Sequence, residues 1–376
     1  MSLQRVTAIA RKEFLHILRD PRSLGMGIAI PMLLLFLFGY ALTLDVDRVP
    51  LVVWDQSGSP ASRELLSRFS GSRYFSLAGS TDSYRAIEAA IDRRDALIAL
   101  VVPADFARRL AAGDIAEVQA ILDGSNPNTA TIALGYAEAV VRGYSGDITL
   151  QQVRRLGARL PDALELRPRV WFNTDLVSRN FLFPGLIAII MMVIAALLTS
   201  LTIAREWETG TMEQLLTTPL RGPELIFGKL LPYLAIGILD LILALLVGEY
   251  VFDVPLRGSL PLLFALSLIF LVGALTFGML ISIIARSQVV AAQFALVATM
   301  LPAFLLSGFI FPIDNMPAPI RAVTHIVTAR YFVTILRGIY LKDVGLEVLA
   351  GEVAFLTAFG VVVVALAIRK LQRKIQ

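Results

Sequence analysis

Six long apolar stretches, at 24–44, 180–203, 226–252, 260–285, 289–311 and 346–368, run through this chain, and a more polar block at 45–179 separates the first from the rest. Each stretch is long enough to cross a hydrocarbon core of about 30 Å at about 1.5 Å per helical residue. Inside lipid the backbone must satisfy its own hydrogen bonds, and these runs lack the alternation of a barrel strand, so they read as helices. Hydrophobic residues make up 56% of the chain and charged residues 17%, which places it outside the range of soluble globular domains. The expected fold is a polytopic α-helical membrane protein with six transmembrane helices and an extracytoplasmic α/β domain between the first and second spans.

The formal net charge of +4 does not point to nucleic acid, because the basic residues gather beside the spans. Arg5, Arg11, Lys12, Arg19 and Arg22 precede the first, and Arg369, Lys370, Arg373 and Lys374 follow the last. Arg205, Arg221, Lys229 and Arg286 flank the loops after the second and fourth spans. The excess of Lys and Arg on one side predicts cytoplasmic termini and loops, with 45–179 outside. A cleavable signal peptide over 1–44 is disfavoured by the length of its apolar run. Residues 3–19 set Leu3, Val6, Ala10, Phe14 and Ile17 against a basic face, predicting an interfacial amphipathic helix within 1–23. Asp20 and Pro21 should end it.

The block at 45–179 reads as a small sheet with helical cover, free of cysteine and therefore held by its own core. Strands are predicted at 51–54, 96–102 and 117–122. Helices are predicted at 60–69, 83–94, 105–112 and 129–159, the last broken near Gly143 and Gly146, and 164–173 returns as an extended piece. Beyond the fifth span, 312–342 is too short and too polar for two more spans, so it is predicted to fold back as an external re-entrant hairpin, with helical pieces at 318–327 and 330–340.

Several chemistries are missing. Gly222–Lys229 is the nearest approach to a phosphate-binding loop, with the wrong spacing and no Ser or Thr after the lysine. His16 and His325 are the only histidines and fall on opposite sides of the expected membrane, so no metal or catalytic centre is predicted. The chain is expected to be no enzyme, to bind no cofactor directly, and to rely on another polypeptide for any ATP it uses.

The most specific stretch is Arg205-Glu-Trp-Glu-Thr-Gly-Thr-Met-Glu-Gln-Leu-Leu-Thr-Thr-Pro219, continuing through Gly228-Lys229 to Tyr233. It resembles the loop after the second span in the permease subunits of ABC type-2 exporters. Asn180-Phe-Leu-Phe-Pro-Gly185, Ser307-Gly-Phe-Ile-Phe-Pro312 and Asp123-Gly-Ser-Asn-Pro-Asn128 fit the drug-efflux-like branch of the same family, although Ala329 stands where a proline is usual before Arg330-Tyr331-Phe332. The resemblance implies an ATP-binding cassette subunit as partner, with ATP on that subunit. It also implies a second permease copy or a sister permease, a periplasmic membrane-fusion adaptor, and residence in a bacterial inner membrane. The implied cargo is drugs or other small amphipathic compounds. A receptor or sensor with 45–179 as its ligand-binding part is the alternative from another class.

Taken alone, 205–220 is either a solvated loop helix or a docking knob; the resemblance favours the knob. Arg205, Glu206, Glu208, Gly210, Thr211, Glu213, Leu215 and Leu216 are then the candidate coupling residues, with Pro219 as the stop. Asp240 sits mid-span, where an isolated carboxylate costs about 2.5–3.5 kcal/mol. It and Gln293 are candidates for a translocation path or for buried polar anchors. Glu249 and Glu352 lie near span ends, where their heads reach the interface, and Arg321, His325, Arg330 and Arg337 form a basic face on the hairpin, open to anionic lipid or to solvent.

Overall fold

In the computed structural model, residues 2–41, 48–155, 171–173 and 177–375 are described. The chain divides into two compact units, one of residues 1–44 with 169–376 and one of residues 45–168.

The first unit begins with α1 (Leu3–Arg19), an amphipathic helix that ends at Asp20 as its sequence predicts. Its buried face is Val6, Ile9, Glu13 and Ile17, whereas Leu3 and Phe14 are exposed. The stripe is therefore rotated from the sequence reading and includes a carboxylate, because α1 packs on a protein helix and not only on lipid. A short helix α2 (Pro21–Leu24), a π-helical turn (Gly25–Ala29) and α3 (Ile30–Ala41) follow without a break.

The second unit holds a four-stranded sheet of order β2-β1-β3-β4, built from β1 (Val49–Asp55), β2 (Phe75–Ser80), β3 (Ile98–Val102) and β4 (Gln119–Leu122). β1 pairs parallel with β2 and β3, and β3 pairs antiparallel with β4. The helices are α4 (Pro60–Ser70), α5 (Tyr84–Asp92), α6 (Phe106–Ala112) and α7 (Pro127–Arg155). β3 is buried along its whole length, as its unbroken Ile-Ala-Leu-Val-Val run requires of a strand covered on both faces. Two features depart from the sequence reading. β2 was not foreseen, because Ser76, Gly79 and Ser80 dilute its apolar signal. α7 runs unbroken through Gly143 and Gly146, where glycine costs helix stability but does not forbid it. Most of the extended piece expected at 164–173 lies outside the described residues.

The remaining helices belong to the first unit: α8 (Ser178–Glu208), α9 (Thr211–Leu216), α10 (Gly222–Tyr250), α11 (Leu260–Ala285), α12 (Gln288–Leu306), α13 (Ala318–Thr324), α14 (Thr328–Lys342) and α15 (Leu346–Ile375). α8, α10, α11, α12 and α15 are long and apolar enough to cross a membrane, while the apolar helix Gly25–Ala41 is shorter. α8 is the hub, with buried residues on every face from Leu182 to Glu206. Its 31 residues measure about 46 Å end to end. Without a hydrophobic drive between helices in lipid, hydroxyls and small residues bind it to its neighbours. Thr199 Oγ1 donates to Leu275 O on α11 at 2.7 Å, and Ser282 Oγ on α11 accepts from Ile203 N and Ala204 N. Ala291, Ala295, Thr299 and Ala303, each one turn apart, form the buried stripe of α12. α14 is no surface helix: Phe332, Val333, Leu336 and Tyr340 lie in the core, and Phe270 stacks on Phe332 with ring centres 3.9 Å apart.

Candidate functional site

The end of α8 at Glu208, together with α9, is where the candidate coupling residues fall. α1 lies close against the start of α10 because Gly228 has no side chain; a Cβ there would stand 2.7 Å from Ile9 Cβ. This contact carries Lys229, only 2% exposed, into a pocket between α1, α8 and α10. Its Nζ donates to Glu13 Oε1 at 2.5 Å and to Glu206 Oε1 at 3.0 Å. Lys12 Nζ reaches the same Glu206 oxygen at 3.1 Å, and Thr211 Oγ1 donates to Glu206 Oε2. Glu206 thus joins α1, α9 and α10 at one carboxylate. Two acids facing two ammonium groups keep the cluster close to neutral, which is the condition for burying charge at all.

Arg205 and Glu208 extend the same stitching. Arg205 Nη1 lies 2.7 Å from His16 Nε2, and its Nε lies 3.3 Å from Gln288 Oε1. Glu208 accepts from the backbone N of Gln288 at 2.8 Å and from its Nε2 at 2.6 Å, holding the first turn of α12. Glu224 accepts from Ser2 N at 2.6 Å and Arg221 N at 3.1 Å, and Arg5 donates to Pro219 O. The turn after α9 is thereby tied to the start of α1.

The sequence reading placed Arg205, Glu206 and Glu208 on one short helix with Glu213. In the structure those three complete the last turns of α8; Glu206 bonds inward to Lys229, and Glu208 bonds at the surface to Gln288. The separate helix α9 starts only after Gly210, whose φ of +72° lies in the left-handed region that favours glycine. Met212 anchors α9 in the core, Leu215 packs half-buried beside it, and Glu213 and Gln214 are exposed. Leu216 ends the helix, and its side chain lies outside the described residues. Lys12, Glu13 and Lys229 were not selected as site residues from sequence. The usable signal was Glu13, a carboxylate on the Val6–Ile17 stripe that needs a cation once that stripe is buried.

The two intramembrane candidates are not brought together within this chain. Asp240 is 6% exposed, and among the described residues its Oδ1 has no hydrogen-bond partner. It borders a small apolar cavity of about 20 Å³ that Pro31, Leu35, Ile190, Ile194, Tyr233 and Leu271 also line. Gln293 lies on the exposed side of α12, away from the Ala291–Ala303 stripe. On the hairpin, Arg337 departs from the expected basic surface, because it turns inward onto main-chain carbonyls.

Residues 21–369 match the family described as "ABC-2 family transporter protein". The chain is 41% identical over 376 residues, 100% of its length and 98% of the relative's, to an Escherichia coli protein named "Probable multidrug ABC transporter permease YbhS". It is 34% identical over 344 residues, 92% of each chain, to "Probable multidrug ABC transporter permease YbhR" of the same organism. It is 26% identical over 343 residues, 88% of this chain and 87% of the relative, to the E. coli "Inner membrane transport permease YhhJ".

Proposed function

The chain belongs to the ABC-2 transporter family and is a membrane-spanning permease subunit of an ABC exporter; on that premise we propose how it couples to ATP and what it carries. ATP is bound and hydrolysed on a separate cassette subunit, which docks on α9 and its flanking turns. The observation that supports this is the build of α9: a short helix rooted in the core by Met212, with Glu213 and Gln214 left exposed on its other side. Its base is fixed by the Glu206 cluster to α1, α8 and α10. A push on such a knob is passed to three helices at once. Glu206 then serves coupling by holding the knob, Arg205 and Glu208 by tying the end of α8 to α1 and α12, and Gly210, Thr211, Glu213, Leu215 and Leu216 shape it.

The relatives' names support drugs as cargo; in this reading small amphipathic compounds are carried too, and the buried Asp240 is a contact on the path. The working assembly is two permease copies, or this chain with a sister, joined by a periplasmic adaptor in a bacterial inner membrane. In this reading Gly25–Ala41 is the first span and brings the total to six, both termini are cytoplasmic and the sheet unit is external.

The test is affinity purification from native membranes, comparing wild type with the double variant Glu213→Lys/Gln214→Lys. Co-purification of an ATP-hydrolysing subunit with the wild type, and its loss from the correctly inserted variant, is the expected result. Retention by both would move the docking contact away from α9, and no ATPase with either would end the coupling reading.

A further inference from the structure

Arg337 lies in α14, whose neighbouring positions Phe332, Val333, Leu336 and Tyr340 are buried in the core. Its Nη1 donates to Gly308 O at 2.9 Å and its Nη2 to Phe309 O at 3.1 Å, both in the turn after α12. Its Nε is 3.2 Å from Phe181 O in the first turn of α8, and its guanidinium carbon stands 3.6 Å from the centre of the Phe181 ring. The packing around this joint is close: a Cβ on Gly185 would meet the Phe309 ring at 2.6 Å and Arg337 Nη2 at 3.3 Å. Among the described residues no carboxylate pairs with Arg337, so its charge is spent on carbonyl dipoles.

A guanidinium presents its donors in a fixed planar fork, so it sets the orientation of its acceptors as well as their distance. Its acceptors here are main-chain oxygens, which do not titrate in the physiological range. The joint therefore behaves as a permanent rivet between α8, α14 and the turn after α12. We infer that Arg337 is a positioning residue for transport, which makes the Ser178 end of α8 move as one body with α14 and the turn after α12. The inference rests on the permease reading above. A displacement delivered at the Glu208 end of α8 is useful only if the far end follows as a unit. With the rivet gone, α8 absorbs the motion, and the subunit partner still hydrolyses ATP.

The chain has no cysteine, so an introduced one is its sole thiol. Ser307, 2% exposed beside the joint, is the reporter position. In the complex of this chain with its ATP-binding subunit, reconstituted in lipid nanodiscs, maleimide labelling of Ser307→Cys is compared alone and with Arg337→Met or Arg337→Lys, beside ATP hydrolysis. Arg337→Met is expected to label about tenfold faster, as losing a charged hydrogen bond implies for local opening, with ATP hydrolysis within about twofold of the parent. Arg337→Lys, which keeps the charge but not the fork, should fall between. Unchanged labelling in Arg337→Met overturns the inference. So does labelling that rises only as ATP hydrolysis falls in proportion, the mark of general unfolding. If no ATPase accompanies the parent chain, it is the permease coupling that fails, and the labelling rates of the chain alone still decide whether Arg337 closes the joint.

Discussion

At its Glu208 end α8 meets side-chain charges from α1 and α10; towards its Ser178 end the Arg337 guanidinium binds main-chain carbonyls, one of them in α8. The first arrangement has several side-chain partners, and part of it is open to solvent through Lys12, Arg205 and His16. The second centres on the Arg337 guanidinium, whose acceptors are main-chain oxygens that no mutation of a side chain removes. An end that meets a moving partner benefits from rearrangeable bonds, and an end that must follow rigidly benefits from fixed ones. The difference is what a lever loaded at one end requires.

The largest effect should come from unbalancing the charged end. Lys229→Met leaves Glu13 and Glu206 without their shared buried cation and should cost about 3–5 kcal/mol, read as a lowered melting point of the purified chain in detergent. A cost near zero would mean that the pocket admits water freely and that the cluster does not hold α1. Gly210→Ala forces a side chain into the left-handed region and should cost about 1–2 kcal/mol, seen as faster amide exchange at 209–216 with the Ser178 end unaffected. If both ends loosen together, α8 does not separate its two joints. Asp240→Asn lies between the ends and should change stability by less than about 1 kcal/mol while lowering transport, because it keeps the shape and removes the ionisable carboxyl group. Unchanged efflux at normal expression would remove Asp240 from the path. The smallest effect is expected from an exposed pair in the sheet unit: Arg93→Ala, which breaks the ion pair to Asp95, should stay within about 0.5 kcal/mol by thermal melt.

How much of this was legible beforehand depended on whether a residue's role was local. The five long helices follow from apolar runs in lipid, and β3 from a run of buried branched residues, because each answers to its own segment. The motif at 205–219 was read as one short helix; Glu213 lies on α9 as expected, while Glu206 and Glu208 belong to the end of α8. Nothing local tells Glu206 that it will face Lys229 and Lys12; that needs the close approach of α1 permitted by Gly228. The same holds for Arg337, which in sequence belongs to a basic hairpin face and in space ends on the carbonyls of Gly308 and Phe309. β2 stayed invisible because Ser76, Gly79 and Ser80 give no strand periodicity, and its place comes from pairing with β1.

The central claim is that force enters at the exposed side of α9 while the acids of α8 hold that helix from behind. Its most direct test is site-specific photo-crosslinking in the intact complex, with a benzophenone amino acid placed at Gln214 or, as the remote control, at exposed Thr334 on α14. The account predicts an adduct to the ATP-binding subunit from position 214 and none from 334. Co-purification of that subunit without an adduct at 214 would contradict it.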